Sequence, residues 1–271
     1  MKARRLTTAS LQEIRAFLQR HPEETIALRG MLNMANLSLL PWMGAYHREQ
    51  LTGIAVVIPR TLCLIWTEDF QAAEVIGAAI PKNLSPCMVV GPSQASKALW
   101  SSWSSKDPIV VEQTLFAAHD VPPDDVATGF RLAKDEESAQ IAEYAGLGEA
   151  EETGHNSHLS NPARFEKMVL SRIQRNHSWV IEHDNQLVFQ AHLGPALAEG
   201  AQLCGTYVPP SHRGKGWSTK GICSLLHMAI PQYQWVVLRV DKDNEPAVRC
   251  YQRCGFQARR SFTVLTPQHG A

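Results

Sequence analysis

The chain has 271 residues, enough for one large domain or two small ones. Its 26 Lys and Arg balance 26 Asp and Glu, so the basic excess of a nucleic-acid binder is missing. No run of about 18 apolar residues offers a membrane span, and Met1–Leu6 is followed by no apolar export core, so a cytoplasmic protein without membrane attachment is expected.

Residues 1–120 are too apolar for a disordered tail. Ala9–Leu18 and Glu24–Leu37 read as helices, followed by strand-like runs at Met43–His47, Leu51–Ile58 and Thr61–Trp66. Phe70–Ile80 reads as a helix, Cys87–Val90 as a strand, Pro92–Trp100 as a helix and Ile109–Ala117 as a strand. The polar, proline-containing stretch His119–Asp125 reads as a linker.

The second half starts with a short strand-like run at Ala127–Ala133. A helix from Asp135 or Glu136 through Tyr144 is expected, then another over Arg164–Arg175. Ser178–His183 and Leu187–Leu193 flank Asp184-Asn185, a hairpin signal. Ala201–Val208 is the next strand. It ends at Pro209-Pro210 and meets a glycine-punctuated basic turn, after which Trp217–Met228 reads as a helix. Gln234–Val240 is a buried strand by its apolar run. Glu245–Cys254 is a short helix with Pro246 in its first turn and Gly255 beyond its end.

A strand, a glycine-rich turn and a helix N-terminus together form an anion cradle. The first-turn N–H groups have no partner within the helix, the helix dipole favours negative charge there, and glycines admit close approach. The Walker pattern fails because Gly216 rather than Ser or Thr follows Lys215, and the dinucleotide fingerprint fails because position 219 is Thr. The pattern present is Arg-x-x-Gly-x-Gly/Ala, with Arg213, Gly216 and the small Ser218. Downstream stands Asn244…Ala247…Tyr251…Gly255-Phe256.

These two signatures, in this order and spacing, resemble those of the GCN5-related N-acetyltransferases (GNAT). The resemblance implies a mixed α/β acyl-CoA N-acyltransferase fold with catalytic residues in a domain spanning 126–271. Residues 1–122 repeat the same element order without the Arg/Gly loop, which resembles tandem GNAT proteins with a degenerate first half. An unrelated α+β domain is the alternative.

By this resemblance acetyl-CoA is the co-substrate, no metal takes part, and the acceptor is a small-molecule or protein amine. Backbone groups of Thr206, Tyr207 and Val208 would line the pantetheine chain. Arg213 and the loop Gly214, Lys215, Gly216, Trp217, Ser218 and Thr219 would hold the diphosphate, Lys215 chiefly through its N–H. Trp217 is read as packing or adenine-side contact, and Asn244 as a pantetheine contact. Tyr251 is the expected general acid, since a phenol with a pKa near 10 keeps its proton at neutral pH.

The general base stays open among Glu151, Glu152, His155 and His158 in a loop expected to face the acceptor, Glu182 and His192 on strands, or a water chain. Three functions stand: an acetyl-CoA-dependent N-acetyltransferase, a non-catalytic acyl-CoA sensor, and a transferase using another acyl donor. The cysteines at 63, 87, 204, 223, 250 and 254 form no CxxC, and Cys250 and Cys254, four apart on a helix, read as small buried residues. His155 and His158 have no third ligand at a telling spacing.

Overall fold

The computed structural model describes residues 1–268 other than 35, 36, 38, 85–87, 124, 125, 154 and 155. The chain forms two compact units. The first comprises Met1–Phe116, Arg239–Glu245 and Ala258–Ala271, and the second comprises Ala117–Leu238 and Pro246–Gln257.

In the first unit, β1 (Lys2–Arg5) leads to α1 (Leu11–Gln19) and α2 (Ile26–Met34). Three strands follow, β2 (Trp42–His47), β3 (Gln50–Ile58) and β4 (Leu62–Thr67). Then come α3 (Phe70–Ala79), β5 (Val89–Pro92), α4 (Ser93–Trp103) and β6 (Pro108–Ala118). Strands β1 to β4 pair antiparallel in turn, and β4 runs parallel to β5. The apolar run of β3 is buried from Gly53 to Val57 because both sheet faces are covered there. Ala95, Leu99, Trp100 and Trp103 recur at helical spacing on α4 and enter one core with Ala72, Ala73 and Ile76 of α3.

The second unit repeats the order. β7 (Phe130–Leu132) is followed by α5 (Ser138–Thr153), α6 (Ser157–Ser160) and α7 (Pro162–Ile173). Next are β8 (Ser178–His183), β9 (Gln186–Ala196), β10 (Gly200–Tyr207), α8 (Trp217–Ala229), β11 (Trp235–Asp241, in this unit to Leu238) and α9 (Glu245–Arg253, in this unit from Pro246). Its strands again pair antiparallel from β7 to β10, with β10 parallel to β11. Ile141, Ala142, Val169, Ile173, Val180 and Leu187 form the core under α5 and α7.

The structure departs from the sequence expectations in several places, among them α6, a short helix that carries His158 where a loop was expected. β1 was not expected; it adds to the edge of β2 through Lys2–Arg5. The helix expected to end at Tyr144 runs on to Thr153, so Glu151 and Glu152 stand on its last turn rather than in a loop. The final strand β12 (Gln257–Pro267) was assigned to the C-terminal half, but its residues from Ala258 belong to the first unit. There Phe262–Leu265 pair antiparallel with Val89–Pro92, and β12 lies between β5 and β6 in strand order. It thereby satisfies the backbone groups along one side of β5. Cys87 and Asp124-Asp125 of the expected strand and linker lie outside the described residues.

Candidate functional site

β10 and β11 are paired only at Gly200–Trp235, Ala201–Val236 and Gln202–Val237. Beyond Gln202, β10 continues to Tyr207 with no further β11 register among the described residues. Its pairing with β9 shifts between Cys204 and Tyr207, around Gly205 at φ +58°. A Cβ on Gly205 would stand 2.6 Å from His192 Nδ1, so glycine is demanded by conformation and by space. The bulge turns the backbone of the strand where it has left its parallel neighbour.

Past Val208 and Pro209, a 3-10 turn at Pro210–His212 leads to Arg213 and to Gly214 and Gly216 at φ +75° and +80°. Gly216 is the N-cap of α8 and has no side-chain cap. The first-turn N–H groups of Trp217, Ser218 and Thr219 therefore lie at an end that the helix cannot satisfy itself. A Cβ built on Gly216 meets nothing within 4 Å, so the face is open to a ligand. This chemistry fits a diphosphate.

At the corresponding strand-to-helix junction of the first unit the helix start is closed. Only Glu68 and Asp69 separate β4 from α3, and the Asp69 carboxylate caps the helix by accepting from Gln71 N at 2.9 Å. An acidic group already occupies the end where an anion would bind.

Tyr251 stands on α9, half-buried, with its ring 5.9 Å from that of Phe256. Burial drives its pKa well above the ordinary tyrosine value, the Thr206 hydroxyl pulls the other way, and charge on Glu152 pushes up again. The proton is thus held on Oη throughout the neutral range.

Among the diphosphate-loop candidates, Arg213 does not project freely. Its Nη2 donates to both carboxylate oxygens of Glu151 at 2.7 and 2.9 Å, its Nε donates to Val208 O at 3.0 Å, and its guanidinium lies 5.5 Å from the Tyr207 ring centroid. Lys215 is exposed and donates to Ser211 O at 3.2 Å. The Thr219 hydroxyl is engaged with Cys250 Sγ at 3.3 Å. Trp217 packs 4.8 Å from the His183 ring, and its buried Nε1 has no hydrogen-bond partner among the described residues. Thr206 is half-buried, while Tyr207 and Val208 are buried. Asn244 lies in the exposed turn before α9, its N–H donating to Asp241 O at 3.0 Å.

The base candidates separate by their partners. Glu151 is tied to Arg213. Nearby Glu149, which is not one of these candidates, accepts from Ser157 N and Oγ at 2.8 and 2.7 Å, so it fixes α6 to α5. Glu182 pairs with Arg131. His158 stacks on Phe165, with ring centroids 6.0 Å apart. Burial, and then the charge of Arg172 and any on His177, push His192 down to about 3, leaving it neutral and a poor base at pH 7. Glu152 is raised above the usual carboxylate range, first by packing around the carboxyl and then by Glu149 and Glu151. His155 lies outside the described residues. The bulge at Gly205 was missed in the sequence; an isolated glycine inside a strand pattern was its signal.

Among the described residues no three His, Cys, Asp or Glu side chains are grouped to hold a metal, and no helix is long and apolar enough to cross a membrane.

A parallel strand pair that separates beside an uncapped helix defines the class: a mixed α/β fold of the acyltransferase type. Residues 133–256 match the family model described as the acetyltransferase (GNAT) family. The match covers the second half of the chain, and over its whole length the fold is that of solved GNAT proteins. An acetyltransferase of the GNAT family from Colwellia psychrerythraea is similar over 99% of this chain and 100% of its own, at 14% identity and TM-score 0.63. A GCN5-related N-acetyltransferase from Sphaerobacter thermophilus is similar over 99% and 97%, at 14% identity and TM-score 0.62. A tandem GNAT protein from the clavulanic acid biosynthesis pathway is similar over 100% and 99%, at 13% identity and TM-score 0.56. No curated protein matches.

Proposed function

We propose that the protein moves an acetyl group from acetyl-CoA to a primary amine, on a small molecule or a protein, by direct attack in a ternary complex. The early end of β10–β11 pairing at Gln202–Val237, beside the uncapped start of α8, carries this reading. Acetyl-CoA supplies an acetyl group activated as a thioester. The main-chain N–H groups from Gly214 to Thr219 bind its diphosphate, with Arg213 as the cation at the rim. The backbone of Thr206 to Val208 orients the pantetheine.

Holding both reactants in line provides much of the rate. Tyr251 keeps a proton on Oη and delivers it to the departing sulfur. Glu152 takes a proton from the incoming ammonium. Among the described candidates it is the carboxylate not held by an arginine, and its raised pKa brings it closer to the working pH.

The test is release of CoA thiol from acetyl-CoA across a panel of amines, alongside calorimetric binding of CoA. Amine-dependent release supports the proposal. Binding without release by any amine would leave a non-catalytic acyl-CoA sensor. Release only with other acyl-CoA donors would change the donor.

A further inference from the structure

Three cysteines of the second unit meet where α8 and α9 pack. Cys223 of α8 and Cys254, just past the end of α9, are 1% and 0% exposed, whereas Cys250 is half-exposed. Cys250 and Cys254 are four residues apart, one helical turn, and so share a face. Thr219 closes the cluster: its hydroxyl is 3.3 Å from Cys250 Sγ, and its carbonyl accepts from Cys254 Sγ at 3.7 Å. The proposed acyl-transfer chemistry uses none of these sulfurs, and among the described residues they form no metal-ligating group with a neighbour.

The thiols are unequal. Hydrogen bonds from Cys254 and Thr219, with the Arg253 charge, outweigh burial and bring Cys250 down to about 7, while Cys254 is driven far up by Cys223, Cys250 and its burial. The half-exposed Cys250 sulfur, beside the Thr219 hydroxyl, is thus biased toward the thiolate, and the buried Cys254 thiol stands one helical turn away. A reactive thiolate beside a resolving thiol is the arrangement that peroxides oxidise selectively.

We propose that Cys250 and Cys254 form a peroxide-reactive pair, with Cys250 the attacking sulfur and Cys254 the resolving one. The Cys250 thiolate attacks one oxygen of hydrogen peroxide, the O–O bond breaks, and hydroxide leaves, giving the sulfenic acid. The Cys254 thiol then displaces water from it, forming the S–S bond. Two thiols are oxidised, one peroxide is reduced, and two waters result once the hydroxide is protonated. The bond closes across one helical turn, and Cys254 N already donates to Cys250 O at 3.2 Å. It can form because position 254 lies beyond the last helical residue, where the backbone can yield.

The sequence provides a direct readout, because Arg249, Arg253 and Arg259 place the two cysteines on separate tryptic peptides, 250–253 and 254–259. After treatment of the full chain with stoichiometric hydrogen peroxide, a non-reduced digest is expected to contain these two peptides joined, and dithiothreitol should separate them. Cys254→Ser should halt the reaction at a sulfenic acid on Cys250 that dimedone captures, and Cys223→Ser should leave the joined peptides unchanged. A Cys223–Cys254 link with Cys250 intact, or an unmodified Cys250 under these conditions, would overturn the pairing. The thiol chemistry stands apart from the acyl-transfer proposal, so failure of either is visible without the other. Tyr251 lies between the two cysteines, and the linked protein is expected to lose turnover that reduction restores. Full turnover in fully linked protein would overturn the coupling to Tyr251.

Discussion

Arg213 and Glu151 clasp one another, with Nη2 reaching both carboxylate oxygens at 2.7 and 2.9 Å, although they are 62 residues apart. The cation proposed for the diphosphate and one of the candidate bases thus hold each other. With side chains 46% and 52% exposed, such a pair contributes only about 0.2–1 kcal/mol. Glu151→Gln is accordingly expected to shift Tm by less than about 4 °C. Calorimetry should show CoA bound up to about fivefold more tightly in that variant, as Arg213 is released. Arg213→Ala should weaken it. Weaker CoA binding in Glu151→Gln would show that the pair instead props the loop in its binding shape.

Tyr251→Phe keeps the ring against Phe256 and removes only the proton donor. Its kcat is expected to fall about 10²- to 10⁴-fold, with the calorimetric acetyl-CoA affinity unchanged. Because burial raises the pKa of this phenol, the wild-type rate should not decline as pH rises to 10, the ordinary tyrosine value. Equal kcat in the two proteins would remove Tyr251 from the chemistry.

Glu152 makes opposite predictions for activity and stability. A base must be deprotonated, so kcat should fall as pH drops through its raised pKa, with the acid limb above that of an exposed glutamate. A carboxyl raised on folding binds its proton more tightly in the folded chain, so the protein loses stability as pH climbs from the unfolded toward the folded pKa. Glu152→Gln should therefore be at least as stable as wild type at pH 7, have no such advantage below pH 4, and lose kcat at every pH. Thermal melts across pH beside initial rates would check both. Undiminished kcat would return the base to the open candidates.

The first unit offers a capped helix where the second offers an open one. CoA should bind with a stoichiometry of one per chain. Asp69→Ala, which deletes the cap, should cost about 1 kcal/mol of stability and leave that stoichiometry unchanged. Calorimetry that counts two CoA per chain would refute the contrast.

Most elements were legible because their residues report local physics. The apolar run of Gln234–Val240 and the glycine after Arg253 mark a strand and a helix end in almost any context. The length of α5 was not legible, because Gly146 and Gly148 look like helix breakers. In the fold Gly148 lies against the Tyr207 ring, where a Cβ would come within 3.3 Å, so tertiary packing selects the residue that propensity disfavours.

The sequence alone determined the two motifs, their strand–turn–helix settings and the doubled element order. Each depends on neighbours in the chain, where periodicity, turn residues and helix caps act. Only the tertiary structure decided that β12 pairs with β5, that Glu151 is held by Arg213, and that Cys250 lies beside Thr219. Those contacts join residues tens to hundreds of positions apart, and their partners are chosen by packing and charge, which leave no local pattern in the chain.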